Sequence, residues 1–265
     1  MWLTGPLLLT LGTLVVVVPT RDGLVIVADS KSTRRTAAGA TAAVDAAEKV
    51  FAFPGLPGHA FFVTGVSPVQ WVVDGQGVAT IVDAHGLVRA RLSRRGSVSR
   101  ADFDAVADEG AKLAARIHRM GASAAPLVGR DLFTVVMARA GSGNTPHEVA
   151  SFVISLTTSS AAVSKREWVR FAPGDAARVL MFGEGAFVGA GLARWTGGSA
   201  ECARQFLAGR RLVRDIDAQT AARGAYSIQE ATSTAMGDAG TVGPPFRAYV
   251  LTLALNELPP VAPCR

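Results

Sequence analysis

The chain has 265 residues, 49% of them apolar and 18% charged, with 27 basic against 21 acidic residues and a net charge of +6. This composition excludes a disordered chain, which is poor in apolar residues and rich in charge, and two cysteines in such a length exclude a disulfide scaffold. The basic excess does not mark a nucleic-acid binder, because Lys/Arg runs stop at pairs such as Arg34-Arg35 and Arg94-Arg95 and no clustered patch with stacking aromatics accompanies them.

From Pro6 to Val18 the chain is almost wholly apolar. No Lys or Arg precedes Arg21, so the charged start of a signal peptide is missing. Arg21 and Asp22 end the run before the roughly 20 apolar residues a membrane span needs. Leu14–Val18, with four consecutive valines, reads as a buried strand, since β-branched side chains suit a pleat. Thr20 to Gly23 reads as a turn into a second strand, Leu24–Ala28, ending at Asp29. Thr33 to Ala47 reads as a loop or a short strand. Lys49–Phe53 and His59–Thr64 read as strands separated by the turn residues Pro54 to Gly58. Short turns between successive strands argue for an antiparallel sheet.

Residues 66–96 are ambiguous: Pro68 suits the start of a helix, which Gly75 and Gly77 weaken. Ser99 to Met120 is the strongest helical segment. Ser99 and Asp102 have the spacing of a capping box, and Phe103, Val106, Gly110, Leu113, Ile117 and Met120 recur at three- and four-residue steps. Strands are expected again at Leu132–Ala138, Val149–Leu156 and Val179–Phe182. Helices are expected at Ser199 to Ala222 and, behind a second capping box of Ser227 and Glu230, up to Gly237. Phe246 to Ala254 reads as the last strand and residues 257–265 as a loose, proline-rich tail. The order of elements fits layered sheets with helices outside.

Familiar motifs are absent. The sequence has no P-loop, dinucleotide fingerprint or nucleophile elbow. His59, His85, His118 and His147 lie far apart and form no metal-ligand pair, and Cys202 reads as a small buried apolar group. Neither a metal nor an organic cofactor is expected.

One constellation stands apart: Gly12-Thr13, Asp22-Gly23, the run from Leu24 through Asp29-Ser30-Lys31 to Thr33, Glu48-Lys49-Val50-Phe51, and Val63-Thr64-Gly65. It resembles the start of the mature proteasome β-subunits and their relatives among the N-terminal-nucleophile hydrolases. Further on, Val179 to Gly185 is similar to that family's glycine-rich strand end, with Glu184 in place of its usual Ser. Asp238 to Gly243 is similar to its D-x-x-S-G-G segment. The resemblance implies an α+β fold, a four-layer αββα sandwich of two antiparallel sheets between helix layers. It also implies a pro-segment at 1–12 and one domain at 13–256.

What the resemblance implies chemically is a catalytic set of Thr13, Asp29, Lys49, Gly65, Asp238 and Thr241. A threonine hydroxyl is a poor nucleophile and needs a base. Cleavage before Thr13 would free an α-amino group with a pKa near 8, able to take the hydroxyl proton directly or through water. Lys49 would lower the hydroxyl's pKa, Asp29 would hold Lys49, and Asp238 and Thr241 would orient the amine. Gly65 would offer its N–H to the oxyanion, a contribution on the order of 3 kcal/mol at comparable sites. A lysine at 49 is apt in an arginine-rich chain, because arginine cannot release its proton.

The reading is a proteasome-like threonine peptidase or amidohydrolase that acts on peptide or amide bonds through an acyl-enzyme. It would activate itself at Gly12–Thr13 and assemble as a homo-oligomeric ring in the cytoplasm, without nucleic acid and without a stable membrane span. Two alternatives stand beside it. One is a catalytically inactive scaffold or binding protein of the same fold. The other uses residues 1–18 as an export segment, which would remove Thr13.

Overall fold

The computed structural model describes residues 7–11, 13–29, 32–36, 41–44, 49–73, 77–237 and 240–261. In chain order these hold β1 (Leu7–Leu11), β2 (Leu14–Thr20), β3 (Gly23–Asp29), β4 (Ser32–Thr36), β5 (Thr41–Val44), β6 (Val50–Phe51), β7 (His59–Gly65), β8 (Val69–Val73), β9 (Gly77–Val82), α1 (Ala84–Leu92) and α2 (Arg100–Ala114). A 3-10 stretch, Ala115–Leu127, leads to β10 (Arg130–Arg139), β11 (His147–Leu156), β12 (Ala161–Phe171), β13 (Leu180–Gly183), α3 (Gly185–Gly191) and α4 (Gly198–Ala208). A short 3-10 turn, Val213–Asp215, precedes α5 (Ala218–Met236), β14 (Phe246–Leu251) and β15 (Leu255–Glu257).

The chain is mixed α and β, and every strand pair among the described residues is antiparallel. One sheet has the order β13-β2-β3-β14-β15, a second β12-β11-β10-β7-β6 and a third β5-β4-β1-β8-β9. The hairpin of β2 and β3 turns at Arg21-Asp22 and runs in register from Thr20↔Gly23 to Val15↔Ala28. The turn is pinned at both residues: the Arg21 N–H donates to the Ile216 carbonyl at 3.0 Å, and the Asp22 carboxylate accepts from the Ala218 N–H at 2.8 Å, at the head of α5.

The valine run is continuous because β2 is covered on both faces, the condition under which a strand loses its polar alternation. Val15 and Val17 pack with Leu24 and Ile26 against Ala60, Phe62, Val136 and Ala138 of the second sheet. Leu14, Val16 and Val18 face the other way, toward the small residues Ala221, Ala222 and Ala225 and Ile228 of α5. On the far side of the second sheet, Phe103 and Val106 of α2 pack with Phe152 and Ile154 of β11. The third sheet joins that same cluster through Val69 and Val82.

Several expectations meet a different outcome. The capping box of Ser99 and Asp102 is present at the head of α2, but the α-helix ends at Ala114, and 3-10 geometry carries Ile117 and Met120 into the core. Pro68 opens no helix: it follows a cis Ser67-Pro68 bond and precedes β8. The second capping box does not exist, because α5 starts at its Asp217 cap and Ser227 lies inside it, donating to the Arg223 carbonyl at 3.0 Å. The segment read as one helix from Ser199 to Ala222 is broken at Gly209, and its end belongs to α5. The residues left between loop and strand after Thr33 contribute β4 and β5, and β12 was not expected at all. No helix among the described residues is long and apolar enough to cross a membrane.

Candidate functional site

Thr13 stands one residue before β2. Extending the hairpin register by one step sets Leu14 beside Asp29, the last residue of β3, and leaves Thr13 just beyond the ladder. The Leu14 N–H donates to Asp29 Oδ1 at 3.0 Å, which ties the two strand ends together. Lys49 precedes β6, a two-residue strand that β7 holds through Phe61 and Phe62. Its Nζ lies 3.0 Å from Asp29 Oδ2. Thr13, Asp29 and Lys49 are all buried.

Two glycines close the site. Gly183 ends β13 opposite Leu14 with φ +80°, and a Cβ placed there would lie 1.8 Å from the Thr13 carbonyl oxygen. Only glycine combines that backbone with that approach. The next residue, Glu184, donates its N–H to the same oxygen at 3.2 Å. Gly65 ends β7 with φ +91°, and a Cβ there would meet the Leu132 carbonyl at 2.5 Å. Thr241 donates its hydroxyl to Glu184 Oε1 at 3.1 Å.

Thr13, Gly65, Gly183, Glu184 and Thr241 line one cleft of about 360 Å3, with Asp131 at the start of β10. Of the residues expected from the sequence, the structure thus brings Thr13, Gly65 and Thr241 to one cleft and sets the Asp29–Lys49 pair behind Leu14. Asp238 lies outside the described residues, as do Gly12 and Glu48.

Burial governs the charges. It pushes the Asp29 carboxyl up to about 6, against the opposing pull of Lys49 and of the N–H groups of Leu14 and Gly243. It lowers Lys49 from the ordinary lysine value, and the facing carboxylate offsets part of that effect. The result is a lysine that yields its proton more readily than a solvated one and a carboxylate that stays ionised at neutral pH.

Three further groups had no role assigned from the sequence. Thr64 lines the cleft from β7, and its Oγ1 is buried with no hydrogen-bond partner among the described residues. The fully buried Gln229 of α5 donates Nε2 to the Leu14 carbonyl at 2.5 Å and to the Val27 carbonyl at 3.1 Å, bracing the strand end that carries Thr13. Asp131 accepts from the Ser155 hydroxyl. A polar residue in an otherwise small and apolar helix face was the available signal for Gln229; Thr64 stood within the Val63-Thr64-Gly65 motif without a role of its own, and Asp131 gave no signal.

The histidines take structural places. His147 lines a separate cavity of about 290 Å3 near the β2–β3 turn. Its Nδ1 accepts from the Gly141 N–H at 3.0 Å, so its Nε2 donates to the Thr20 carbonyl at 2.9 Å and the ring is neutral. His59 Nδ1 lies 3.0 Å from the Pro57 carbonyl, and His85 packs on Phe51. Among the described residues, no three His, Cys, Asp or Glu side chains could hold a metal ion together. Cys202 is not the isolated apolar group expected: it is disulfide-bonded, a pairing that spacing in sequence does not disclose.

The sequence matches no family model, and no curated protein matches it. Among solved structures the chain is similar to the Anbu (Gly-1) mutant from Hyphomicrobium sp. strain MC1. The identity is 14%, with 93% of this chain and 86% of that chain covered, and the TM-score is 0.49.

Proposed function

We propose that this chain is an amide-bond hydrolase of the N-terminal-nucleophile type, with Thr13 as nucleophile. The observation that carries the reading is the Asp29 carboxylate, which grips the Leu14 N–H with one oxygen and the Lys49 ammonium with the other, beside a cleft that Thr13 lines. A buried ion pair is costly unless its geometry is good. A fold that needed only to close this corner would do better with apolar side chains. The pair makes chemical sense if Lys49 serves a hydroxyl that must lose a proton.

The residues divide into a pro-segment, 1–12, and a catalytic domain, 13–256, built as a four-layer αββα sandwich. In the uncut chain the Thr13 nitrogen is an amide and has no lone pair to act as a base. During self-cleavage the Thr13 proton therefore passes to Lys49 in its neutral amine form, which burial makes more accessible than in a solvated lysine, and Lys49 returns it to the Thr13 nitrogen as the amide bond breaks. The freed oxygen attacks the Gly12 carbonyl carbon, the acyl group moves from nitrogen to oxygen, and water hydrolyses the ester. The new α-amino group then serves as base for the next substrate. Asp238 and Thr241 would steady it, and the Gly65 N–H would receive the oxyanion. The acyl-enzyme forms on Thr13 Oγ1 as the amine of the substrate leaves, and water restores the hydroxyl. Copies of the chain would assemble as a ring.

The experiment is the intact mass and first residue of the purified protein beside Thr13→Ala. Wild type beginning at Thr13, with the variant uncut, supports self-activation. Both chains running through residue 12 would remove the mechanism.

That second outcome has an observation in its favour. β1, within the segment to be removed, is the middle strand of the third sheet, with β4 on one side and β8 on the other. A scaffold that keeps this strand would leave Thr13 in a peptide bond and be silent. In the hydrolase reading the same strand holds the place that an extended substrate chain takes after the cut.

A further inference from the structure

We propose that the cleft beside Thr13 recognises a positively charged side chain, of the arginine or lysine kind, next to the bond that is cut. For the cutting, this rests on the hydrolase reading; for the binding, it does not. Two carboxylates from different parts of the fold, Asp131 of β10 and Glu184 after β13, line this cleft, and among the described residues no Lys, Arg or His lines it with them. The chain as a whole carries an excess of cations. Several of its other carboxylates meet them: Glu148 sits between Arg139 and Arg170, and Asp104 and Asp108 share Arg166. Neither Asp131 nor Glu184 forms an ion pair among the described residues.

Both are held by neutral donors instead. The Ser155 hydroxyl donates to Asp131 Oδ1, with the Ser164 hydroxyl at 3.5 Å, and the Thr241 hydroxyl donates to Glu184. Hydroxyls orient a carboxylate and leave its charge for a partner. The second, independent mark of a ligand is Thr64: its side chain is buried, lines the same cleft and has an Oγ1 with no partner among the described residues. A buried hydroxyl left so is costly, and a guanidinium or ammonium N–H would satisfy it. Leu132 and Phe133 line the cleft as well, an apolar bed for the methylene stem that such side chains lay down behind their charge.

The test uses the full chain and two readouts. The first is kcat/KM on peptidyl coumarin amides that carry arginine, lysine, citrulline, leucine or glutamate before the amide. Citrulline matches the shape of arginine without its charge. Arginine and lysine should exceed citrulline by about tenfold or more, and the advantage should fall to near unity in Asp131→Asn/Glu184→Gln; about 1.4 kcal/mol corresponds to a tenfold change. The second is binding of N-acetyl-arginine amide against its citrulline analogue by isothermal titration or NMR, to wild type and to the double variant. If no substrate is cut in a Thr13-dependent way, the hydrolase reading fails, while tighter binding of arginine amide, lost in the variant, still upholds the cation site. Equal binding of the arginine and citrulline amides to wild type overturns the proposal whatever the turnover. That comparison needs no variant to fold.

Discussion

The Asp29 carboxylate and the Lys49 ammonium meet at 3.0 Å in a place solvent does not reach, since neither side chain is more than 6% exposed. Burial acts on both in opposite senses, raising the acid and lowering the base. The pair therefore sets the pH behaviour of this corner of the fold.

Lys49→Met leaves the Asp29 charge buried without its partner. The expected loss is about 3–5 kcal/mol at pH 8, measured by urea unfolding, together with loss of cleavage before Thr13. The sign of the pH dependence follows from the raised carboxyl. The folded chain holds the Asp29 proton up to about 6, against 3.8 for the ordinary group. Its contribution is full below 3.8 and is lost as the pH rises through about 6. Without Lys49 the carboxyl rises further, so the deficit of the variant against wild type should grow from pH 5 to pH 8. A deficit independent of pH would contradict this account of the pair.

In the proposed mechanism self-cleavage needs Asp29 ionised. Its rate, followed by mass spectrometry on freshly refolded chain, should fall on acidification through about pH 6. Asp29→Asn keeps an oxygen for the Leu14 N–H but cannot hold an ammonium, so it should remain uncut across the pH range. Cleavage by Asp29→Asn at the wild-type rate would exclude that role.

Gly183→Ala places a methyl group 1.8 Å from the Thr13 carbonyl oxygen in a backbone with positive φ. Neither the carbonyl nor the strand can yield without moving Thr13. We expect a loss of at least about 2 kcal/mol in stability and no processing, because strain of this kind adds to the clash. Thermal unfolding and intact mass check both.

Gln229→Leu removes both donors to the carbonyls of Leu14 and Val27 at nearly constant volume. Each buried carbonyl left without its donor costs about 1–3 kcal/mol. Slower self-cleavage should accompany the loss, since Leu14 is the neighbour of Thr13, the proposed nucleophile. As a control, Ser99→Ala breaks the cap of α2, far from the cleft in sequence and without contact to it. It should cost about 1 kcal/mol and leave cleavage unchanged.

The β2–β3 hairpin was legible because its valines, its turn and its terminal Asp29 each carry a local signal. The α2 cap was legible for the same reason. β12 was not: its middle, Ser164 to Glu167, is exposed and charged and has no apolar face to announce a strand, so its identity comes from pairing with β11. The frame at α5 slipped because Ser227 and Glu230 imitate a helix start inside a helix whose true cap is Asp217. In the site, residues beside strand ends could be placed by motif, whereas Asp131 reaches the cleft only through the long-range pairing of β10 with β7.

The central position of β1 has a consequence for how the chain behaves outside the reaction. While β1 is in place, the facing sides of β4 and β8 are both paired. Its departure would uncover two rows of backbone donors and acceptors about 9.6 Å apart, twice the spacing of neighbouring strands. A gap of that width admits a single extended chain and is too narrow for a helix, whose side chains bring it to about 10–12 Å. Two open edges also invite other molecules to pair with them. A chain stripped of residues 1–12 should therefore be the more adhesive form, and its solubility would depend on how soon the gap is filled.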